Sequence, residues 1–468
     1  MINPKSRVHF VGIGGIGMSS IAAYMCANGF MVSGSDKVET GDILEKLRNL
    51  GVEIFHKHST ANITTEIDLV IRSSAIRSDN EEISRAKELG IQVINRAQAL
   101  KEILIGKKVA AVTGTHGKTT TTSLLGYICI KSLKDPTIFV GGIMKDLNSN
   151  LHIGHGEIAV VEADESDGSF LITGHSLGLV TNMEMDHVEY YETHDKLLEE
   201  YKKFVNLGEN TLLCTDDPGL RNFYEEYRDV KDKLYSYGVY GKNNDISALN
   251  IRLLEHESVF DIVFGDDFAM SLGAKVLKDV RLSLLGLHNI QNALGALLAS
   301  ILLGCELNLA LDALKNFKGV ERRFCKIGKL NGATVLDDYA HHPTEIDSVL
   351  KVASKIKGDG RLIVIFEPHK YTRLSRFMSE FATVLSSNYV DSLVLTGVYS
   401  SGEDPINGVD SEHLRDKIST LCRTNTSVVR DFEELKQLIL REASPGDTIL
   451  ALGAGALSNF IRSIVEIL

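Results

Sequence analysis

Short β-branched and apolar runs alternate along the chain with segments whose apolar residues recur at helical spacing. In the first stretch the pattern predicts strands at 7–13, 30–33, 68–71 and 91–94, separated by helices that end near 28, 50 and 89. Strands separated by helices mean parallel sheet. The pattern restarts at Lys107, with strands expected at 108–112, 137–140, 157–161 and 177–181 and helices between them. Residues 245–280 alternate less regularly and read as a β-rich insert, followed by a strongly apolar helix at 289–303. A third restart near Val320 predicts strands at 334–337, 362–366, 392–396, 427–429 and 448–452. No long Pro or Ser linker and no solenoid-length repeat interrupts the series, so the restarts alone divide the chain into α/β domains at 1–106, 107–319 and 320–468.

The loops that join these strands to helices carry the chemistry. Gly12-Ile-Gly14-Gly15-Ile-Gly17 lies between a strand and a helix, the arrangement that lets backbone amides approach a pyrophosphate at a positive helix end. Asp36 closes the next strand, where an acidic side chain commonly holds a ribose hydroxyl. Taken alone this pair reads as a dinucleotide site or, more plainly, as glycines that permit tight strand-to-helix packing. The loop Thr113-Gly114-Thr115-His116-Gly117-Lys118-Thr119-Thr120 is more specific. Its amides can cradle phosphate, Lys118 can neutralise the β and γ groups and the Thr119 hydroxyl can ligate magnesium. It is shorter than the general phosphate loop, with Val112 where a glycine is usual. Glu162 adjoins another apolar strand in Glu162-Ala-Asp-Glu165-Ser-Asp167 and is a metal candidate, because a carboxylate at a parallel strand's carboxyl end borders the nucleotide crevice. Asp164 and Asp167 read more simply as a solvated loop. His187 follows the strand at 177–181; alone, a histidine there reads as structural, since magnesium prefers oxygen.

Composition narrows the choice. At 468 residues with a formal net charge of −12, the chain has room for two or three cores but no basic stripe, so no nucleic-acid partner is expected. Its six cysteines include no Cys-x-x-Cys pair, which offers neither a zinc knuckle nor a disulfide framework and fits a reducing, cytoplasmic setting. Lys5 and Arg7 precede an apolar stretch in the manner of a secretory signal, yet four glycines interrupt it and no cleavage site follows. No uninterrupted apolar run reaches the roughly 18 residues of a membrane span.

The motifs, in order, resemble the Mur ligase family over nearly the whole chain. They are Gly12 to Ser19, Ser73-Ser74-Ala-Ile76, Gly114 to Thr121, Glu162 to Asp167, His288-Asn289 with Asn292, Arg322-Arg323-Phe, the runs 337–345 and 367–373, and Ser401-Gly-Glu-Asp-Pro. Within the family the chain is similar to the members that add alanine. The resemblance implies a Rossmann-like UDP-binding domain, a central P-loop-type ATPase domain and a Rossmann-like C-terminal domain that closes over both. It implies ATP-driven ligation of L-alanine to UDP-N-acetylmuramate in peptidoglycan precursor synthesis, by a monomer or weak homodimer.

It also implies roles. Gly12, Gly14, Gly15, Gly17, Met18 and Ser19, with Asp36, Ser73 and Ser74, would take the UDP-sugar, overruling the dinucleotide reading. Gly114, Thr115, His116, Gly117, Lys118, Thr119 and Thr120 would hold ATP, with Thr119, Glu162 and His187 around magnesium or, alternatively, manganese. His288, Asn289, Asn292, Asp338 and Tyr339 would contact the nucleotide, and Arg322 and Arg323 would clamp phosphate. His341, His369, Lys370 and Arg373 would lie near the acceptor carboxylate and the amino acid. Two positions depart from the family pattern, Lys370 for Arg and Ala340 for Gly; lysine keeps the charge but loses the bidentate fork. The rivals are a nicotinamide-dependent dehydrogenase, a nucleotide-binding regulator without chemistry, and the related recycling ligase that attaches a tripeptide to the same sugar nucleotide.

Overall fold

The computed structural model describes the chain except residues 1, 2, 4, 39, 40, 166, 167, 172, 173, 186–190, 192, 242, 423 and 466–468. It packs as two compact units, one of Met1–Arg252, Val259–Ser283 and Asn289–Val320, the other of Leu253–Ser258, Leu284–His288 and Glu321–Leu468.

The first unit contains two sheets. Strands β1 (Arg7–Val11), β2 (Met31–Ser35), β3 (Glu53–Phe55), β4 (Leu69–Arg72) and β5 (Gln92–Asn95) form a parallel sheet in the order β3-β2-β1-β4-β5. The order reverses at β1, which opens a crevice at its carboxyl end. β1 stops at Val11, two residues before its predicted end, because Gly12 turns the backbone to a φ of 82°.

The second sheet comprises β6 (Lys108–Thr113), β7 (Thr137–Met144), β8 (Ser149–His152), β9 (Ile158–Glu162), β10 (Leu177–Val180), β11 (Asn210–Cys214), β12 (Leu234–Gly238), β13 (Ile246–Leu253), β14 (Ser258–Phe264) and β15 (Val276–Leu282). Their order is β15-β14-β13-β12-β11-β10-β6-β9-β7-β8, so the predicted insert extends this sheet at one edge. Val109, Ala110, Ala111 and Val112 of β6 are all buried, as expected of a strand with parallel neighbours on both sides and both faces covered. β8 pairs antiparallel with β7.

In the second unit β16 (Cys325–Leu330), β17 (Ala333–Asp338), β18 (Leu362–Phe366), β19 (Ser392–Leu395), β20 (Asn425–Val428) and β21 (Thr448–Leu452) run in the order β16-β17-β21-β18-β19-β20. Only β16 pairs antiparallel among the described strands of this sheet. β18 shows how sequence encodes a doubly covered sheet. Leu362, Val364 and Phe366 join one buried cluster, while Ile363 and Ile365 join another on the opposite face. Among the described residues no helix is long and apolar enough to cross a membrane.

Candidate functional site

The first glycine turn is held from below and from the side. Gly12 and Ile13 donate their N–H groups to the Ser35 carbonyl at 2.9 and 3.0 Å. The Ser35 hydroxyl donates to Glu82 Oε2 at 2.5 Å, and Glu82 also accepts from Asn62 Nδ2 at 2.6 Å. His58 Nδ1 lies 3.1 Å and His9 Nε2 3.7 Å from Glu82 oxygens. Burial alone would raise the Glu82 carboxyl, but His9, Ser35 and Asn62 outweigh it and bring it down to about 2. From the side, Asp36 accepts Gly14 N–H at 2.8 Å and Val38 N–H at 3.0 Å. The acidic residue that suggested a ribose hook is thus engaged in bracing the turn. Ser19 turns its hydroxyl back to the Ile16 carbonyl at 2.9 Å, while Asn150 of the second sheet donates to that carbonyl at 2.6 Å.

The phosphate loop leaves β6 and starts the helix Lys118–Lys131 at Gly117, whose φ is 82°. Gly114 adopts a φ of 128°, and a Cβ there would collide with the Thr181 hydroxyl. One at Gly117 would meet Asn292 Oδ1, which places Asn292 against the loop; Asn292 in turn donates to Asn289 Oδ1 at 3.2 Å. Thr181 and Asn182, just beyond β10, fix the loop's far side. The Thr181 hydroxyl and Asn182 Nδ2 donate to the His116 carbonyl at 2.6 and 2.9 Å, and His116 N–H returns a bond to Asn182 Oδ1 at 2.8 Å. The Thr115 hydroxyl donates to the Glu184 carbonyl at 3.0 Å. Thr119 and Thr120 are buried in the first turn of the helix.

Lys118 is folded back onto the loop. Its Nζ donates to the Gly114 carbonyl at 2.6 Å, the Thr115 carbonyl at 3.1 Å and Glu165 Oε1 at 3.0 Å. Burial pulls the ammonium down, but Glu165, Asp164 and Glu162 outweigh burial and raise it, so Lys118 stays charged. Burial pushes Glu165 up to about 7, with Lys118 opposing and Asp164 adding. Glu165 belongs to the acidic run Glu162 to Asp167, and its pairing with Lys118, 47 residues away, has no local signal in the sequence.

Glu162 ends β9 beside β6. It accepts the Thr119 hydroxyl at 2.9 Å and Gly141 N–H at 2.6 Å. A hydroxyl and a carboxylate brought together at a strand's end make a hard-oxygen donor set that suits a magnesium-like cation. Both therefore fit the expected metal role; His187 lies outside the described residues. A pocket of about 240 Å³ joins the two sheets' chemistry: Gly15, Ile16, Gly17, Met18, Ser73 and Ser74 line one side, Gly141, Glu162 and Asp164 the other. Arg96, overlooked in the sequence reading, lines it too.

In the second unit the expected residues gather at the carboxyl ends of β17, β18 and β21. Asp338 accepts from Phe324 and Ala340 N–H, each at 2.7 Å, and burial pushes its carboxyl up to about 6 against the pull of Arg323. The guanidinium groups of Arg322 and Arg323 lie 4.8 and 5.2 Å from the Tyr339 ring centroid. Arg322 donates to the Gly453 carbonyl at 2.9 Å. His341 Nδ1 lies 2.9 Å from the Tyr339 carbonyl, and its ring centroid is 5.6 Å from that of His369. His369 stacks on Tyr399 and meets Arg373 Nη1 at 3.1 Å. Lys370 has a φ of 67° and reaches to 3.8 Å from Glu403. His288 belongs to this unit rather than to the phosphate loop's, and desolvation followed by the charge of Arg323 lowers its imidazole to about 4.

Parallel sheets that end in a lysine-bearing phosphate loop, a strand-end carboxylate and a second glycine turn are the layout of a nucleotide-binding α/β protein, and the family comparison makes it a ligase. The chain belongs to the Mur ligase family. Its models "Mur ligase family, catalytic domain", "Mur ligase middle domain" and "Mur ligase, glutamate ligase domain" match residues 7–108, 112–300 and 322–455. The UDP-N-acetylmuramate--L-alanine ligase of Nitratidesulfovibrio vulgaris is 37% identical, with 98% of each chain covered. Its counterpart from Carboxydothermus hydrogenoformans is 38% identical over 97% of this chain and 94% of its own. Among solved structures, the UDP-N-acetylmuramate-alanine ligase of Thermotoga maritima aligns with a TM-score of 0.82 and 31% identity, 98% of each chain being covered. A murein peptide ligase from Psychrobacter arcticus shares the fold, with a TM-score of 0.72 at 24% identity and 98% of each chain covered.

Proposed function

We propose that the protein joins L-alanine to the lactyl carboxylate of UDP-N-acetylmuramate and cleaves ATP to ADP and phosphate. The pocket shared by the glycine turn and Glu162 supports the reading, because the turn assigned to the sugar nucleotide there adjoins the carboxylate assigned to phosphoryl transfer. A carboxylate resists an amine at neutral pH, since its oxide is a poor leaving group and its charge repels nucleophiles. Attack of the lactyl carboxylate on the γ-phosphorus of ATP makes an acyl phosphate and releases ADP. The neutral amine of alanine then adds, and the tetrahedral adduct expels phosphate.

In this assignment the loop Gly114 to Thr120 cradles the ATP phosphates and Lys118 leaves its loop carbonyls and Glu165 to neutralise the γ group. Thr119 and Glu162 would hold a divalent cation, which supplies Lewis-acid stabilisation of phosphoryl charge. Asn289 and Asn292 are assigned to the nucleotide side of the loop. Gly12 to Ser19, with Ser73 and Ser74, take the UDP portion, and Asp36 keeps their turn in shape. Arg322, Arg323, Asp338, Tyr339, His341, His369, Lys370 and Arg373 are assigned to ligand phosphate, acceptor carboxylate and amino acid.

The deciding experiment is an ATP-dependent phosphate-release panel with UDP-N-acetylmuramate and single amino acids. Release with alanine well above the other amino acids is the expected result; release with a tripeptide but not alanine would replace this reading with the recycling reaction. For Glu162→Ala we expect turnover to fall at least about a hundredfold at limiting magnesium, as when a transition-state electrostatic partner is lost. Near-normal turnover at limiting magnesium would remove Glu162 from the metal's surroundings.

A further inference from the structure

The turn that follows β21, Gly453-Ala454-Gly455-Ala456, leads into the helix Leu457–Ile464. It repeats the layout of the turns at Gly12 and Gly114: a parallel strand runs through glycines into a helix whose first amides lack partners within the helix. This third turn already holds an anion, and the chain itself supplies it. Glu367, the first residue beyond β18, is buried, and its Oε2 accepts Leu457 N–H at 3.3 Å. Burial raises its carboxyl above the ordinary value of 4.5, against the pull of Leu457 and Gly455 N–H, the charge of Arg322 and Ala456 N–H. A Cβ on Gly453 would stand 2.9 Å from Glu367 Cβ, and one on Gly455 would run into Glu367 Oε2, so the two glycines make room for the side chain. The helix behind the turn is fixed separately. Asp337 Oδ2 accepts the Ser458 hydroxyl at 2.8 Å and Arg462 Nη2 at 2.7 Å.

The carbonyls of the same turn hold Arg322. Its Nη2 donates to Gly453 at 2.9 Å and to Gly455 at 3.4 Å. Its backbone sits at a φ of 57°, and its own carbonyl accepts Tyr339 N–H at 2.8 Å. A left-handed arginine costs energy and persists where its surroundings dictate the conformation. Arg322 Nε is buried and makes no hydrogen bond, so the guanidinium is anchored along one edge and keeps a donor for an anion. Resting on the proposed assignment of Arg322 to ligand phosphate, we infer that Glu367 is a positioning residue. Its carboxylate fills the third glycine turn from the amide side, and the turn's carbonyls in consequence set where the Arg322 guanidinium stands. Glu367 does not touch the ligand; its charge would repel phosphate, and Arg322 alone meets it.

The test is a double-mutant cycle on full-length protein, read as phosphate release from ATP with UDP-N-acetylmuramate and alanine. Glu367→Ala should lower kcat about ten- to a hundredfold, as when a preorganised charge is misplaced by about an ångström, with KM for the sugar nucleotide changed less than about threefold. Glu367→Gln keeps the length and one acceptor oxygen and should restore most of the lost kcat. In an Arg322→Ala background, Glu367→Ala should cost less than about a further threefold, since the group it places is gone. Losses that multiply in the double variant, or wild-type kcat in Glu367→Ala, overturn the inference and leave Glu367 as a helix cap. An Arg322→Ala protein with wild-type kcat overturns it too, because the placing of Arg322 would then serve nothing. If Glu367→Ala fails to fold, Glu367→Asp takes its place in the cycle with the same expectations, because it keeps the charge but stops a methylene short of the amides. A wild-type protein that releases no phosphate from these substrates would instead remove the proposed function itself, before any variant is compared.

Discussion

Lys118→Ala should abolish ADP release that depends on the sugar nucleotide, by about a thousandfold or more in kcat, while UDP-N-acetylmuramate still binds. The magnitude follows from the role: a preorganised cation facing developing phosphoryl charge in a water-poor site commonly contributes two to five decades. Survival of the fold follows from the neighbour. With the lysine gone Glu165 loses the cation that holds its carboxyl down, and burial then favours the neutral acid, which can remain inside without a counter-charge. A coupled assay for ADP, calorimetry with the sugar nucleotide and a thermal melt separate these statements. Loss of turnover and sugar-nucleotide binding together, with an unchanged melt, would contradict the placing of the two ligands on different loops.

Glu82→Leu should be the most damaging single change to stability in the first unit, about 3–5 kcal/mol, because it leaves the side chains gathered around a buried charge without their acceptor. Glu82 is fully buried, and its carboxyl stands at about 2 against an ordinary value of 4.5. A carboxyl held lower in the folded than in the unfolded chain contributes stability above the unfolded value. That contribution is therefore intact above about pH 4.5 and disappears as the pH falls towards 2. Denaturant titrations between pH 7 and 3 should show wild type losing stability over that interval and Glu82→Leu losing correspondingly less. The same slope in both would show that Glu82 does not carry this linkage. Since Ser35 ties Glu82 to the Gly12 turn, UDP affinity should fall with the same substitution.

The parts of this architecture legible in sequence were those that repeat a local rule. Buried parallel strands such as Leu362–Phe366 and Thr448–Leu452 appear as uninterrupted apolar runs and were placed to the residue. The short β3 and the edge strands β8 and β16 were missed, because such strands need only one covered face and carry little apolar signal. β11 and β12 were also missed, although the buried Leu212, Leu213 and Cys214 give a readable run in β11. Candidate site residues are legible in the sequence where a glycine or a strand end marks them, as at Gly114, Lys118 and Glu162. Arg96, Glu165, Thr181 and Glu82 escaped because what matters about them is a partner distant in sequence: Asp164, Lys118, His116 and Ser35. Asp36 reads in sequence as a ribose hook, and the structure adds a contact that the sequence does not show, its carboxylate accepting a backbone amide of the turn.

β6 has a parallel neighbour on each side and lies well inside a ten-stranded sheet. Amide protons there should exchange with solvent only when the unit comes apart as a whole, whereas those of the rim strands β8 and β15 should exchange by local fraying. The residues proposed to bind phosphate are thus anchored to the ground that thermal agitation disturbs least, and rearrangement during turnover must be carried by side chains and connecting loops instead of by the sheet beneath them.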